Sequence, residues 1–481
     1  MNLIAGIILL LFVCLILTVG QANAAILTVT KTADTNDTVC NADCSLREAI
    51  FAAAASGDEI QFASPLFDSP QIINLLSTNV LINKSLTITG KGAHLLTIRR
   101  SPTATLNFGI LSVNVPGQVS LSGLTIADGV GIGISVAGGA NVTIMNCVIT
   151  GNSSPLGGIL IGNNNTVNLI NSTVSNNTAN VSSGQTAGAI VTHAATLNII
   201  NSTISGNTVT GGGSANGGAI RNSGGGIVNI TNSTIANNSS DGLSATNAGG
   251  IANLSGTVTI RNSIVAGNVG TVPDVYGDID GLYISAGYNL IGKNNGAETN
   301  FPAGNPNFNN DIVGTSAAPV DPRLDPLGVY LGTTPTHRLQ TSPVVSPAID
   351  KGSSLGGLTT DQRGLLRPYD NPMIPNASGA NANGSDIGAF EAQAVTAASA
   401  NISGRVLDAS GRGVFKAFVF ITGETGEVRM ALTNPFGFYR FYEVSTGETY
   451  IFQVQHKRYS FTPQVVMVTE EINDLNFTAQ P

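Results

Sequence analysis

One block recurs through the middle of this chain: VTIMNCVITGN from Val142, VNLINSTVSNN from Val167, LNIINSTISGN from Leu197, VNITNSTIANN from Val228 and VTIRNSIVAGN from Val258. A weaker copy, VSLSGLTIADG, starts at Val119. The central asparagines, Asn146, Asn171, Asn201, Asn232 and Asn262, are spaced 25, 30, 31 and 30 residues apart. Within each block apolar and polar residues alternate, the period of a strand. Between blocks a second short strand follows glycines, as in GGILI at 157–161 and GGAIRN at 217–222. A fixed period with several short strands in each repeat specifies a solenoid.

The asparagines say which one. Asparagine tolerates left-handed backbone at a sharp bend, and its amide both donates and accepts. Side chains stacked at the strand spacing of about 4.8 Å can satisfy one another up a column. An asparagine ladder is therefore expected through Asn146, Asn171, Asn201, Asn232 and Asn262, and a second column through Asn152, Asn177, Asn207, Asn238 and Asn268. Cys147 takes the slot that Ser172, Ser202, Ser233 and Ser263 fill in later repeats, so it reads as a buried, inert thiol. The expected fold is all-β: a right-handed parallel β-helix, with a capping helix before it and a small β-sandwich after it.

The boundaries follow from composition and turn signals. Leu3–Val19 is an uncharged apolar run that ends in Ala22-Asn23-Ala24, the pattern of a secretory signal over residues 1–24. No second stretch is long enough to span a bilayer, so the mature chain is expected to be secreted or at the cell surface, with no membrane span. Residues 25–71 form an N-terminal cap, in which Ser45 and Glu48 make a capping box and Leu46, Ala49 and Ile50 share a helix face. Cys40 and Cys44 suit a small disulfide loop in an oxidising compartment; the alternative, a half zinc site, lacks two further ligands. Repeats occupy 72–292, a terminal capping region 293–391, a linker 392–400 and a sandwich 401–481.

Two stretches resemble known families. CSLREAI, with GYNLIG, TTPTHRL, SPAID, DQRG and DIGAFE between 287 and 391, resembles secreted bacterial β-helix proteins that carry the CSLREA motif and a choice-of-anchor-type terminal region. That resemblance implies a pectin-lyase-like β-helix and brings no established activity. SGRVLDASGRGV, TNPFGFYRF and GETYIFQVQHKRY resemble carboxypeptidase-regulatory-like, transthyretin-like domains, grouped with carbohydrate-binding-like folds. That resemblance implies binding or anchoring, and no catalytic residues.

Chemistry is sparse. Only 10% of residues are charged, with a net charge of -8 and no basic block, which excludes nucleic acid as a partner. From Pro102 to Gly270 the ionisable groups are Asp128, His193, Arg221, Asp241 and Arg261, besides Cys147. Polysaccharide hydrolysis needs paired carboxylates, and these two aspartates fall about four coils apart. Arg221 and Arg261 are expected to face solvent, as is His193. No catalytic residue and no cofactor is assigned. Asp274, Asp278 and Asp280 are weak candidates for a cation. Asp321, Arg323, Asp325, His337, Arg338, Asp350, Asp361, Arg363, Asp386 and Glu391 crowd the terminal region, as a site at the rod's end or as an ion-paired cap. The last domain holds 13 of the 26 aromatic residues. Phe418/Phe420 and Tyr439/Phe441 are assigned to its core, and Phe438, Tyr442 and Tyr459, with Arg440, Lys457 and Arg458, to an outward ligand surface.

The expected function is thus non-enzymatic: adhesion or carbohydrate and cell-wall binding through the sandwich. Alternatives are a polysaccharide lyase or hydrolase with its site in 274–391, and a structural scaffold that binds surface proteins.

Overall fold

The computed structural model describes residues 24–480 apart from 55–56, 181–185, 212–216, 242–246, 271–278, 281–282, 354–356, 394–398 and 424–427. The chain divides into two units between Ala392 and Gln393, within the expected linker.

In the first unit each repeat lays down three main strands and, in five successive coils, a short fourth. Every strand of these sheets pairs in parallel with its equivalent one coil away, giving sheets of ten, eight, ten and five strands. One coil shows the logic. Thr166–Ile170 lies in the first sheet, Thr173–Ser175 in the third, Thr178–Asn180 in the short fourth and Ile190–His193 in the second. Inward positions stack like on like: Val142 pairs with Val167, Val167 with Leu197, and Leu197 with Val228. Their side chains are buried in one continuous core. Packing of identical shapes at strand spacing needs no new solution at each coil, which is why a repeated sequence builds a repeated wall.

The motif Asn-Ser-Thr resolves into three separate tasks. Asn146, Asn171, Asn201, Asn232 and Asn262 all have φ between 46° and 53°. They make the one-residue bend from the first sheet to the third in left-handed backbone that most L residues avoid. The serines point inward: the backbone N–H of Cys147 donates to Ser172 Oγ, that of Ser172 to Ser202 Oγ, that of Ser202 to Ser233 Oγ and that of Ser233 to Ser263 Oγ, each at 3.1 Å. Asn289 and then Asp311 finish this column, accepting at 3.2 and 2.8 Å. The threonines point outward from the third sheet.

The expectation of a ladder through the first asparagines is corrected. Their bend turns the amides away from one another, and Asn201 and Asn262 donate to the carbonyls of Thr360 and Asp386. The ladder is the second column. Asn152 Nδ2 donates to Asn177 Oδ1, Asn177 to Asn207, Asn207 to Asn238 and Asn238 to Asn268, each at 2.9 Å. Each accepting oxygen also takes the backbone N–H of the asparagine before it.

The parallel ladder is longer than the repeats. Ile26–Val29 pairs with Asp58–Phe62 in a first coil, and Ile312–Val313 pairs with Leu290–Ile291 in a last one. The expected boundaries at 72 and 292 therefore fall inside the solenoid; the outer coils lack the Asn-Ser-Thr signature but keep the pairing. Helix Leu46–Ala52 sits in the first coil, with the capping box formed and Leu46, Ala49 and Ile50 in the main core. Cys40 and Cys44 are disulfide-bonded. Residues 1–23 of the expected export signal lie outside the described residues, and among those described no helix is long and apolar enough to cross a membrane.

In the second unit, Ser399–Leu407, Phe438–Ser445 and Phe477–Thr478 form one sheet, and Phe418–Thr422, Val428–Leu432, Glu448–Gln455 and Gln464–Val468 the other. Val419, Ile421, Tyr439, Phe441 and Phe452 fill the core. Tyr439 and Phe441 are thus inside as expected, but Phe418 and Phe420 are not. Phe418 is 42% exposed, and its alternation is one residue out of phase with the expected one. Alternation gives the period of a strand and leaves its phase open.

Candidate functional site

Three surfaces carry enough chemistry to be weighed as sites. The first is the wall of the solenoid. His193 is exposed, with Nδ1 3.0 Å from Ser223 Oγ, as the sequence suggests. Arg221 departs from expectation: it is only 9% exposed, its guanidinium bonds Ser223 Oγ, and burial lowers its pKa. Its outward position on the second sheet is one where the neighbours Val191 and Ala252 are buried too. Burial pushes the Cys147 thiol up to about 12, so it stays protonated. On the first sheet an open groove of about 590 Å³ runs over Thr87, Ser120, Asn141, Thr143 and Asn168, and no charged residue lines it. A surface amide column continues from it: Asn168 donates to Asn141 (3.3 Å), Asn198 to Asn168 (2.8 Å) and Asn229 to Asn198 (2.9 Å). The amides bond chiefly to each other, so this groove and its column offer weak polar contact.

The second surface is the charged terminal region. The described residues of 320–353 and 357–392 run back along the outer face of the third sheet and cover the outward threonines. Gln362 is the central clamp: its Nε2 donates to Thr173 Oγ1 and Thr334 Oγ1 at 3.0 Å, and its Oε1 accepts from Thr203 Oγ1 at 2.6 Å. Thr203 also meets Thr336 at 2.9 Å, and the Ala389 N–H donates to Thr234 Oγ1 at 3.1 Å. His337 sits 2.7 Å from the Asp325 carbonyl through Nδ1 and 2.8 Å from Ser205 Oγ through Nε2. The carbonyl can only accept, so Nδ1 carries the proton and Nε2 accepts from the serine. Burial lowers the His337 pKa and keeps the ring neutral.

Beneath this strap lies a buried ionic cluster. Arg367 pairs with Glu391 at 2.8 Å, both side chains fully buried, and Arg363 pairs with Asp361 at 2.6 Å while lying 3.5 Å over the Phe390 ring. Both oxygens of Asp361, Asp386 and Glu391 are occupied. Glu391 accepts from the N–H groups of Tyr369 and Asp386, Asp386 from those of Asp350 and Ala392, and Asp361 from those of Arg363, Leu365 and Glu391. Burial, then the neighbouring Glu391, raises Asp386 well above the ordinary carboxylate range; burial raises Glu391 against the pull of Arg367. Burial also takes Asp350 up to about 6. Perturbed carboxylates often mark an active site, but a general acid or nucleophile must reach its substrate. Asp361, Asp386 and Glu391 have no exposed surface. These three carboxylates therefore form a structural cluster out of reach of a substrate. Asp274 and Asp278 lie outside the described residues, and the side chain of Asp280 is likewise not described; among the described residues no cluster of metal-ligating side chains forms.

The third surface is the tip of the sandwich. A cleft of about 270 Å³ is lined by Asp408, Gly413, Val414, Phe415, His456, Arg458 and Tyr459. Tyr459 stacks on His456 with centroids 5.2 Å apart, and Lys416 lies 5.3 Å over the Phe415 ring. Phe436 is 70% exposed nearby, its carbonyl accepting from Arg405, whose guanidinium stands 4.8 Å over Phe438. Of the six residues singled out in sequence, Tyr459 and Arg458 line the cleft and Lys457 is exposed between His456 and Arg458. Phe438 stands at the top of its strand, beside Phe436. Arg440 and Tyr442 are outward too, but farther down that strand, where Arg440 pairs with Glu471 at 3.3 Å and lies over the Tyr442 ring. Sequence reasoning missed Phe415, Phe436 and His456. All three sit in turns, where alternation gives no signal, though their neighbours Lys416, Pro435 and Lys457 mark those segments as surface.

One further surface is apolar: Phe418, Met430, Leu432, Ile451, Val465 and Met467 share the exposed outer face of the four-stranded sheet. No curated protein matches the chain. Residues 108–300 match the family described as the right handed beta helix region, so comparison and geometry agree on the architecture of the first unit.

Proposed function

We propose that this chain is an exported, non-enzymatic β-helix protein that holds a glycan or cell-wall polymer at the tip of its C-terminal sandwich. The observation that carries this reading is the cleft edged by Phe415 and Tyr459, with exposed cations on the same turns. Aromatic faces present flat apolar area to sugar rings, and cations or amides fix orientation. Export is supported by the apolar leader and by the Cys40–Cys44 disulfide, a bond that persists in oxidising compartments. The CSLREA-type and carboxypeptidase-regulatory-like resemblances point the same way.

The test is retardation of the full chain in native gels cast with a panel of polysaccharides. Retardation without clearing, reduced by Tyr459→Ala and Phe415→Ala, is the expected result. A cleared zone overturns the non-enzymatic part of the reading, and retardation untouched by both substitutions overturns the assignment to the tip.

A second reading, a scaffold that associates with further copies of itself, is favoured by the apolar outer face. Among the described residues this face carries no charged side chain, and it ends in the edge strand Val428–Leu432, so two copies would meet there without burying charge. Sedimentation of the protein and of Met430→Glu tests it: one species at all concentrations removes this reading.

A further inference from the structure

Most basic side chains of the second unit gather at one end. Strand directions put loops 408–417, 433–437 and 456–463 at one end; turns 446–447 and 469–471, with the start of Ser399–Leu407, lie at the other. Near the first end stand Arg405, Arg412, Lys416, Lys457 and Arg458, against Asp408 alone among the described residues. Asp408 is turned into its own loop, where one oxygen accepts from Ser410 N–H, Ser410 Oγ and Arg412 N–H at 2.7–2.9 Å. Near the other end stand Glu443, Glu448 and Glu470, with Arg429 bonding the Glu443 carbonyl, while Glu471 pairs with Arg440 partway along the strands. The cationic end is also the end with the cleft and its rings. In a chain of net charge -8, a polyanion is repelled on average and attracted at this tip.

We propose that the tip selects an acidic polysaccharide, one whose sugar rings pack on Tyr459 or Phe415 while their carboxylates meet Arg458 and Lys457. This deepens, and rests on, the reading of the tip as the glycan contact. A neutral glycan would use the rings and leave the cations idle; a bare polyanion would use the cations and leave the rings idle. An acidic sugar uses both, with charge-assisted hydrogen bonds from Arg458.

The experiment titrates the full chain with polygalacturonate, with the same polymer fully methyl-esterified, and with long-chain polyphosphate, over a salt series. Expected is binding to polygalacturonate that weakens as salt rises, and esterified polymer bound roughly tenfold less tightly, the equivalent of one charge-assisted contact. Arg458→Gln with Lys457→Gln should remove most of that difference, and Tyr459→Ala should weaken both polysaccharides. These side chains are exposed, so unchanged thermal unfolding confirms intact variants. Esterified polymer bound as tightly as polygalacturonate overturns the acidic selectivity and leaves the glycan reading standing. No binding to either polysaccharide overturns the acidic selectivity, and the glycan reading then falls if the native-gel panel shows no retardation either. Polyphosphate bound as tightly as polygalacturonate, with no effect of Tyr459→Ala, overturns the proposal in favour of a bare polyanion patch.

Discussion

The solenoid wall and the strap that lies on it bury polar groups by opposite means. In the wall, Asn177, Asn207 and Asn238 are neutral, and each finds an identical partner one coil away. In the strap, Arg363, Arg367, Asp361, Asp386 and Glu391 are ionisable and each finds a different partner. Repetition explains the contrast. A residue repeated at strand spacing meets a copy of itself, and only a group that both donates and accepts can hydrogen-bond its own copy; like charges in column would repel. A segment that runs once across the coils has no copies, and complementary charges then bond strongly and fix its path.

The largest expected effect breaks the strap. Arg367→Met leaves Glu391 and Asp386 buried beside each other without their cation, at a cost of about 3–5 kcal/mol. Hydrogen exchange should show residues 345–392 losing protection while strands of the first sheet keep theirs. Equal loss in both would mean that strap and wall unfold as one. Next, Asn207→Ala removes the acceptor for the Asn177 backbone N–H and amide, and leaves Asn238 Oδ1 with only the backbone N–H of residue 207. A loss of about 1–3 kcal/mol is expected in urea unfolding, and Asn207→Ser should recover little because its hydroxyl is too short to span the column. Smaller again is Ser45→Ala at the first-coil helix, about 1 kcal/mol.

The last prediction separates regions by pH. Asp350, Asp386 and Glu391 are raised in the fold, so their contribution is full below the ordinary carboxylate range and is lost as pH rises through about 6 and beyond. Glu48 is the opposite case. Burial works to raise it, but hydrogen bonds from Ser45, Thr35 and Asp37 and the charge of Lys31 outweigh burial and hold it at about 2. Its contribution is present above its unfolded value and is lost as pH falls towards 2. Limited proteolysis between pH 4.5 and 8 should therefore find the strap more resistant at the acid end and the Glu48 region indifferent. The neutral asparagine column should respond at neither end.

What could be read from sequence tracks the same divide. Period, left-handed asparagines, the second amide column and the slot of Cys147 are local or repeated, so each appears several times in the chain. The path of the strap is neither: Gln362 meets Thr173 across 189 residues, once. The outward threonines look like solvated surface until their cover is known, and the charged motifs of 321–391 look equally like a site. In the sandwich, Tyr439 and Phe441 could be placed but Phe418 and Phe420 could not, because alternation alone leaves the buried face undecided. The tip was half legible: Tyr459 and Arg458 announced themselves as aromatic and cation together, while Phe415 and Phe436 lie in turns that only the fold brings together.

Solenoids diversify by duplicating or deleting whole coils, since each new coil brings its own partners. Here the strap touches four successive coils in a set order, at Asn171 and Thr173, at Asn201 and Thr203, at Thr234, and at Asn262. A coil gained or lost between residues 171 and 262 would move every later anchor by about 4.8 Å while the strap kept its length. The strap therefore acts as a gauge of copy number over that stretch. Coils ahead of Asn171, which it does not touch through these bonds, are where descendants of this gene are free to grow longer or shorter.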